Sequence, residues 1–271
     1  MRIINRRPAT RLANFSIALL PFVALIVLYA VFSDIRLTDN PDDKLLPGLS
    51  SFVDAVQRMA FTPSKRTGEF LLWVDTFASL QRLAIGMSIS ALLGLWLGVL
   101  NGLIPWVAAG GSPFVRVLSM IPPMAVLPIL FITFGLGELS KYVLIIFGTA
   151  PFIARDIEQR VRELPPEQLI KAQTLDANTW QIIVRVVLPQ VLPRLVDAVR
   201  LSLGAAWLFL IAAEAIASTE GLGYRIFLVR RYLAMDVILP YVMWITVLAF
   251  AVDYLFRRMT SWFFPWYGTS R

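Results

Sequence analysis

"LIKAQTLDANTWQIIVRVVLPQ", Leu169 to Gln190, is a polar interlude in an apolar chain. Lys171, Gln173, Asp176, Asn178, Gln181 and Arg185 exclude hydrocarbon as its solvent. Trp180, Ile183, Val184 and Val187 nevertheless recur at i, i+3, i+4 and i+7, the spacing of one apolar helix face. Leu164-Pro165-Pro166 stops the preceding span and presets a short helix running to about Leu175. Asn178 then has the profile of an N-cap, with Gln181 three residues on to complete a capping box. The second helix is expected to end at Leu188-Pro189, because proline cannot continue it. The turn between the two falls at Asp176, which must accept a left-handed conformation; Gly suits that best and Asp tolerates it. Periodicity leaves two readings open. The hairpin is a knob presenting its apolar face to another protein, or an amphipathic pair lying on the membrane surface.

Around the hairpin the chain is of membrane grade. Hydrophobic residues make up 58% of its 271 positions and charged residues only 16%, and the mean hydropathy is +0.70. Apolar stretches of about 20 residues, the length a helix needs to cross hydrocarbon, recur along it. They place six spans near 13–32, 77–103, 114–135, 140–159, 196–217 and 237–257, with the polar hairpin loop near 163–190. The first is long for a signal peptide and no small-x-small site precedes Asp34, so it reads as a retained span. One membrane domain accounts for residues 1–271.

Charge sets the orientation. Arg2, Arg6, Arg7 and Arg11, then Arg116, the seven basic residues from Arg155 to Arg200 around the hairpin, and finally Arg257, Arg258 and Arg271 fall on one side. On the other, Asp34, Asp39, Asp42, Asp43, Asp54, Glu69 and Asp75 offset the basic residues of a long segment. Both termini and the hairpin are therefore expected in the cytoplasm, although Arg225, Arg230 and Arg231 fall outside, against the rule. In the outer segment Phe52, Val53, Val56 and Met59 share one face of a short surface helix, Leu49 to Phe61. The net charge of +7 is spread by loop rather than gathered in a patch, which argues for a membrane and against nucleic acid.

Several chemistries are excluded outright. With no Cys and no His there is no disulfide, no thiolate or imidazole metal site and no histidine base. Ser119 and Ser202 have no base nearby in sequence, which discounts an intramembrane hydrolase. No G-x-x-x-x-G-K-[ST] loop occurs, so the chain does not bind ATP in the P-loop manner. The remaining candidates line a pathway. Pro122, Pro123 and Pro128 break the third span, and freed carbonyls inside a membrane need protein or a water-lined cavity. Glu214 in the fifth span either senses solute or forms a structural lock with Arg82. Trp207, Phe209, Met120 and Met124 line the path or fill helix contacts, and Asp253 pairs with Arg257 one turn on. A stand-alone carrier or channel remains an alternative, although a carrier built on inverted repeats would show a second broken span.

The hairpin resembles the signature of permease subunits of bacterial ATP-binding-cassette importers, in the branch serving nitrate, sulfonates and taurine. That signature is Glu-Ala-Ala, three residues, Gly, nine residues, then Ile-x-Leu-Pro. The matching positions are Ile170, Lys171 and Ala172, then Asp176, then Val186, Leu188 and Pro189. The Leu-Pro end and the spacing fit, while the Glu and the Gly are replaced. "SLQRLAIGMSISALLGLWLGV", "PPMAVLPILFITFGLGELSK" and "GAAWLFLIAAEAIASTEGLGYRI" resemble the second, third and fifth spans of the same branch. The resemblance implies an all-α integral membrane protein of six transmembrane helices with a cytoplasmic coupling-helix hairpin between the fourth and fifth, the type I importer permease fold. It implies a bacterial inner-membrane location, a second copy of the permease, two ATPase subunits that bind the ATP, and an extracytoplasmic solute-binding protein. Coupling to the ATPase would fall to Lys171, Ala172, Leu175, Asp176, Asn178, Trp180, Val186, Leu188 and Pro189. The solute would be a small oxyanion or sulfonate; a guanidinium- or urea-like compound is the alternative, since Glu214 and aromatic residues suit a cation.

Overall fold

The computed structural model describes residues 11–40, 43–65 and 67–270, so Arg2, Arg6, Arg7, Asp42 and Arg271 of the charge argument lie outside it. The helices in chain order are α1 (Arg11–Asp39), α2 (Leu49–Val56), α3 (Leu71–Leu103), α4 (Pro105–Met120), α5 (Pro123–Phe134), α6 (Glu138–Arg162), α7 (Pro166–Thr174), α8 (Thr179–Ile182), α9 (Leu188–Ala217), α10 (Leu222–Arg230) and α11 (Met235–Phe263). Wider π turns, Gln57–Phe61 and Ile183–Val187, follow α2 and α8, and Pro265–Ser270 forms a closing 3-10 turn. No strand occurs among the described residues.

The centre of the fold is a parallel seam between α3 and α6. Gly86, Gly94, Gly98 and Gly102 come one above another on α3, and each meets a branched residue of α6: Ile145, Ile153, Ile157 and Val161. Between the first two pairs the Thr149 hydroxyl donates to Ser90 Oγ at 2.8 Å. The pairing advances in step on both helices, so the two run in the same direction. Glycine allows this close approach, and in a membrane, where burying apolar surface gains little, tight packing of small against branched residues is what holds helices together. Ile145, Ile153 and Ile157 are fully buried as a result. On its other side α6 packs on α9, whose Val191, Ala198, Ala206 and Leu210 complete the core.

Among the described residues four stretches are long and apolar enough to cross a membrane: Phe15–Asp39 in α1, α3, the continuous run Thr179–Ala217, and α11; α4 with α5 makes a fifth if that bent pair is one span. Helix α6 carries Glu138, Lys141, Arg155, Asp156, Glu158, Arg160 and Arg162, yet it is the most enclosed of the helices because α3 and α9 cover it. Helix α1 stands apart. It is tied to the body where the Tyr29 hydroxyl donates to Pro47 O at 2.8 Å and the Ser33 hydroxyl reaches the carbonyls of Leu46 and Pro47. The surface helix expected over Leu49–Phe61 is present, and Phe52, Val53, Val56 and Met59 line an apolar groove of about 840 Å3 against Trp73, Tyr241 and Trp244.

Two boundaries differ from expectation. The span expected at 114–135 is two helices, α4 and α5, meeting at 95°. Each residue before a proline is pushed out of the helical region, and here two successive residues obey: Ile121 lies at ψ 122° and Pro122 at ψ 118°. The hairpin's second helix does not end at Leu188-Pro189. The π turn carries it into α9, where Pro189 occupies the first turn. The Leu188 N–H already bonds one residue farther back than usual, to Ile183 O, so the ladder is re-registered just where proline lacks a donor.

Candidate functional site

The hairpin is built as its residues dictate. Asp176 lies at φ 60°. Around it the Ala177 N–H bonds to Ala172 O at 3.1 Å and the Asp176 N–H to Gln173 O at 3.0 Å, which is the Schellman closure of α7. The Gln181 N–H then donates to Asn178 Oδ1 at 2.8 Å, while Gln181 Oε1 accepts from the Asn178 N–H at 2.9 Å, a complete capping box. The Gln190 amide donates to Gln168 Oε1 at 2.9 Å and braces α7 against the start of α9.

The apolar stripe divides. Val187 is fully buried and Ile183 partly so, whereas Val184 is exposed and Trp180 is 71% exposed. The single face expected from i, i+3, i+4, i+7 spacing is therefore not one face, because the π turn rotates the register between Ile182 and Leu188. Ile182 and Val187 join the core, while Ile170, Leu175 and Trp180 stand out from the tip. Of the remaining residues singled out there, Lys171, Asp176, Asn178 and Pro189 are exposed, and Ala172, Val186 and Leu188 pack partly against the core. At the hairpin's base the Glu163 carboxyl is held below its ordinary range by hydrogen bonds from Gln159 and Arg160.

At the opposite end of the bundle lies a buried polar lock. Helix α10 begins at Gly221-Leu222-Gly223 with no side-chain cap of its own. Its leading N–H groups are instead satisfied from other helices: Gly221 donates to Asp75 Oδ1, Leu222 to Ser79 Oγ and Gly223 to Glu214 Oε2, each at 2.9 Å. Helix N-termini favour negative charge, and these acceptors bring two carboxylates. Glu214 also accepts from the Ser79 hydroxyl at 2.8 Å and from Arg82 at 2.9 Å. Arg82 completes its fork on Glu138 at 2.6 and 2.8 Å and donates to Glu220 O. Asp75 takes Arg225 at 2.8 Å and the Tyr241 hydroxyl at 3.0 Å. Both glycines are required: a Cβ at Gly221, φ 122°, would lie 2.6 Å from Glu214 Cδ, and one at Gly223 would lie 2.5 Å from Ile211 O.

The lock joins Arg82 and Glu214, as the sequence pairing anticipates, and leaves Glu214 with no exposed surface. The sequence reading missed Asp75, Ser79, Glu138, Arg225 and Tyr241. Their signal was an uncapped glycine start for α10, which demands acceptors from elsewhere, and an Arg225 that falls outside, against the charge rule. Trp207 and Phe209 pack inside the core, whereas Pro122, Pro123, Met120 and Met124 lie on the surface of the bent pair. Asp253 pairs with Arg257 at 2.7 Å and also faces Arg200 at 3.3 Å. Among the described residues no cluster of acidic residues could hold a metal ion.

Parallel glycine-seamed helices, a bent proline pair and a capped polar hairpin running straight into a membrane-length helix are the parts of a multi-pass transport component. Residues 90–267 match the family described as binding-protein-dependent transport system inner membrane component, and the chain belongs to that family. Over 197 residues it is 34% identical to the taurine transport system permease protein TauC of Escherichia coli, covering 73% of this chain and 72% of that one. Over 199 residues it is 32% identical to the bicarbonate transport system permease protein CmpB of Synechococcus elongatus, covering 72% and 69%. An inward-facing structure of the MetNI methionine ABC transporter shares the fold, with a TM-score of 0.62 at 24% identity over 70% of this chain and 94% of that one. The family is one of transport components rather than enzymes, and membership sets aside the stand-alone carrier or channel.

Proposed function

We propose that the chain is the permease subunit of an ATP-driven importer of a small oxyanion-bearing solute, with two copies forming the pathway. Helix α6 is the fourth of six spans, shielded by its neighbours, and both termini and the hairpin face the cytoplasm of a bacterial cell. An extracytoplasmic binding protein delivers the solute to the side carrying α10, and two ATPase subunits grip the hairpins. The observation that carries this reading is the hairpin tip. Ile170, Leu175 and Trp180 expose large apolar surface on an otherwise polar element unsuited to hydrocarbon. The π turn makes α8, which carries Trp180, one continuous helical rod with α9, so movement of a gripped hairpin is delivered to the pathway as a rigid-body displacement.

The solute class draws support from the taurine and bicarbonate relatives, since taurine carries a sulfonate and bicarbonate is an oxyanion. A guanidinium-like cation loses its main attraction, because every oxygen of Glu214 is occupied within the lock. Co-expression with the ATPase subunits of the source genome tests the assignment. Purified permease alone hydrolyses no ATP, while the complex does. Leu175→Glu with Trp180→Glu abolishes co-purification at unchanged thermal stability. Uptake by the permease without any ATPase, or an undiminished complex with the double variant, would contradict the proposal.

A further inference from the structure

The face shared by α4 and α6 carries charge that neither the lock nor the hairpin uses. Arg116 and Arg155 line a polar cleft of about 600 Å3, with Phe152 and Gln159 beside them. Arg162 and three carboxylates also border the cleft, and each carboxylate faces Arg160 or Arg162 rather than Arg116 or Arg155. Glu158 holds Arg162 at 2.8 Å and accepts from the Ser112 hydroxyl at 2.8 Å, Glu163 holds Arg160 at 3.0 Å, and Asp156 faces the same Arg160 at 3.7 Å. Arg155 donates to a neutral hydroxyl, Ser119 Oγ, at 3.0 Å. Among the described residues no carboxylate comes within ion-pair distance of Arg116 or Arg155, and both side chains are exposed.

An exposed guanidinium without a carboxylate partner is costly against hydrocarbon, so this face opens on a water-filled space or a second copy. We infer that Arg116 and Arg155 form an anion site on the hairpin-side half of the translocation pathway, receiving the sulfonate or other oxyanion group of the solute. The inference rests on the importer reading above and gives its solute a contact inside the membrane. Two forked donors match an oxyanion's geometry, and the three nearby carboxylates keep the hold weak enough for release. The phosphate of an anionic lipid headgroup has the same chemistry, so the test separates the two.

The permease–ATPase complex is placed in phosphatidylcholine nanodiscs and titrated with trifluoromethanesulfonate, a small sulfonate whose fluorine line broadens on binding. The expected result is saturable binding at millimolar concentration, weakened about tenfold or more in R116Q/R155Q. R258Q, an exposed arginine near the end of α11 and outside the cleft, leaves it unchanged. R116K/R155K keeps the charge and gives intermediate binding, which preserves the test if the neutral variant fails to fold. No saturable binding by the unaltered protein, or equal binding by R116Q/R155Q, overturns the site. Repetition with phosphatidylglycerol as roughly a third of the lipid decides the source: undiminished binding supports the solute, and loss of the probe assigns the cleft to headgroups and overturns the inference. ATP hydrolysis by the same sample keeps the two readings apart. Hydrolysis without anion binding removes the site alone, whereas absent hydrolysis removes the importer reading and the site with it.

Discussion

Gly98→Ala sets two physical effects of opposite sign against each other. In an unconstrained helix Ala is better than Gly by about 1 kcal/mol, so propensity alone forecasts stabilisation. The seam forecasts the reverse. A Cβ at position 98 would lie 2.6 Å from Ile157 Cβ and 2.7 Å from the Ala154 carbonyl oxygen, against an ordinary contact distance of 3.4–4 Å. The second neighbour is backbone and cannot rotate away, so α3 and α6 must part there by nearly an ångström. Overpacking of this kind costs about 1–3 kcal/mol, and a backbone clash belongs at the upper end. Subtracting the propensity gain leaves a net loss of about 2 kcal/mol, or roughly 4–8 °C in unfolding temperature at 2–4 °C per kcal/mol. Gly110→Ala on α4 is the control, since nothing lies within 4 Å of its added Cβ; it should hold or raise the unfolding temperature. Thermal unfolding of both variants in detergent, followed by intrinsic fluorescence, reads the difference. Should Gly98→Ala stabilise the protein as Gly110→Ala does, α3 and α6 are not packed at this distance and the parallel seam is wrong.

Asp176→Val should weaken ATPase co-purification more than Asp176→Gly, because a β-branched residue strains the left-handed turn by about 1–2 kcal/mol while glycine relaxes it; equal behaviour of the two would remove the turn from the docking geometry. Glu214→Ala should destabilise the fold by about 3–5 kcal/mol, since it strips a buried guanidinium of one partner and leaves the Gly223 N–H unsatisfied. Glu214→Gln should cost less, because its amide oxygen still accepts. Unchanged unfolding temperature with lost transport in Glu214→Ala would turn the lock into a solute contact.

Helical character, the hairpin and its turn were legible in the sequence because their causes are local. Asn178 and Gln181 cap each other within one turn, Asp176 tolerates its own backbone angle, and runs of apolar residues announce membrane length without reference to partners. Even the seam left a trace, a small residue at every fourth position from Gly86 to Gly102, although only α6 showed what those positions are for. Misreadings arose where two local rules competed. Proline was taken to end the hairpin at Pro189 and, at Pro122-Pro123, to disrupt a span that still counted as one. The π turn before Pro189 and the absence of any such adjustment at Pro122-Pro123 decided the opposite outcome in each case.

Sequence by itself determined that this protein lives in a membrane and carries a polar hairpin unfit for hydrocarbon, since these follow from residue type and short-range spacing. Tertiary structure alone decided that Asp75, Ser79 and Glu214, up to 146 positions from the amides they hold, cap one helix together. It also decided that Arg116 and Arg155 share a cleft whose carboxylates pair with other arginines. Hydrogen-bond and charge satisfaction are properties of three-dimensional neighbours, and the chain order holds no record of who those neighbours are.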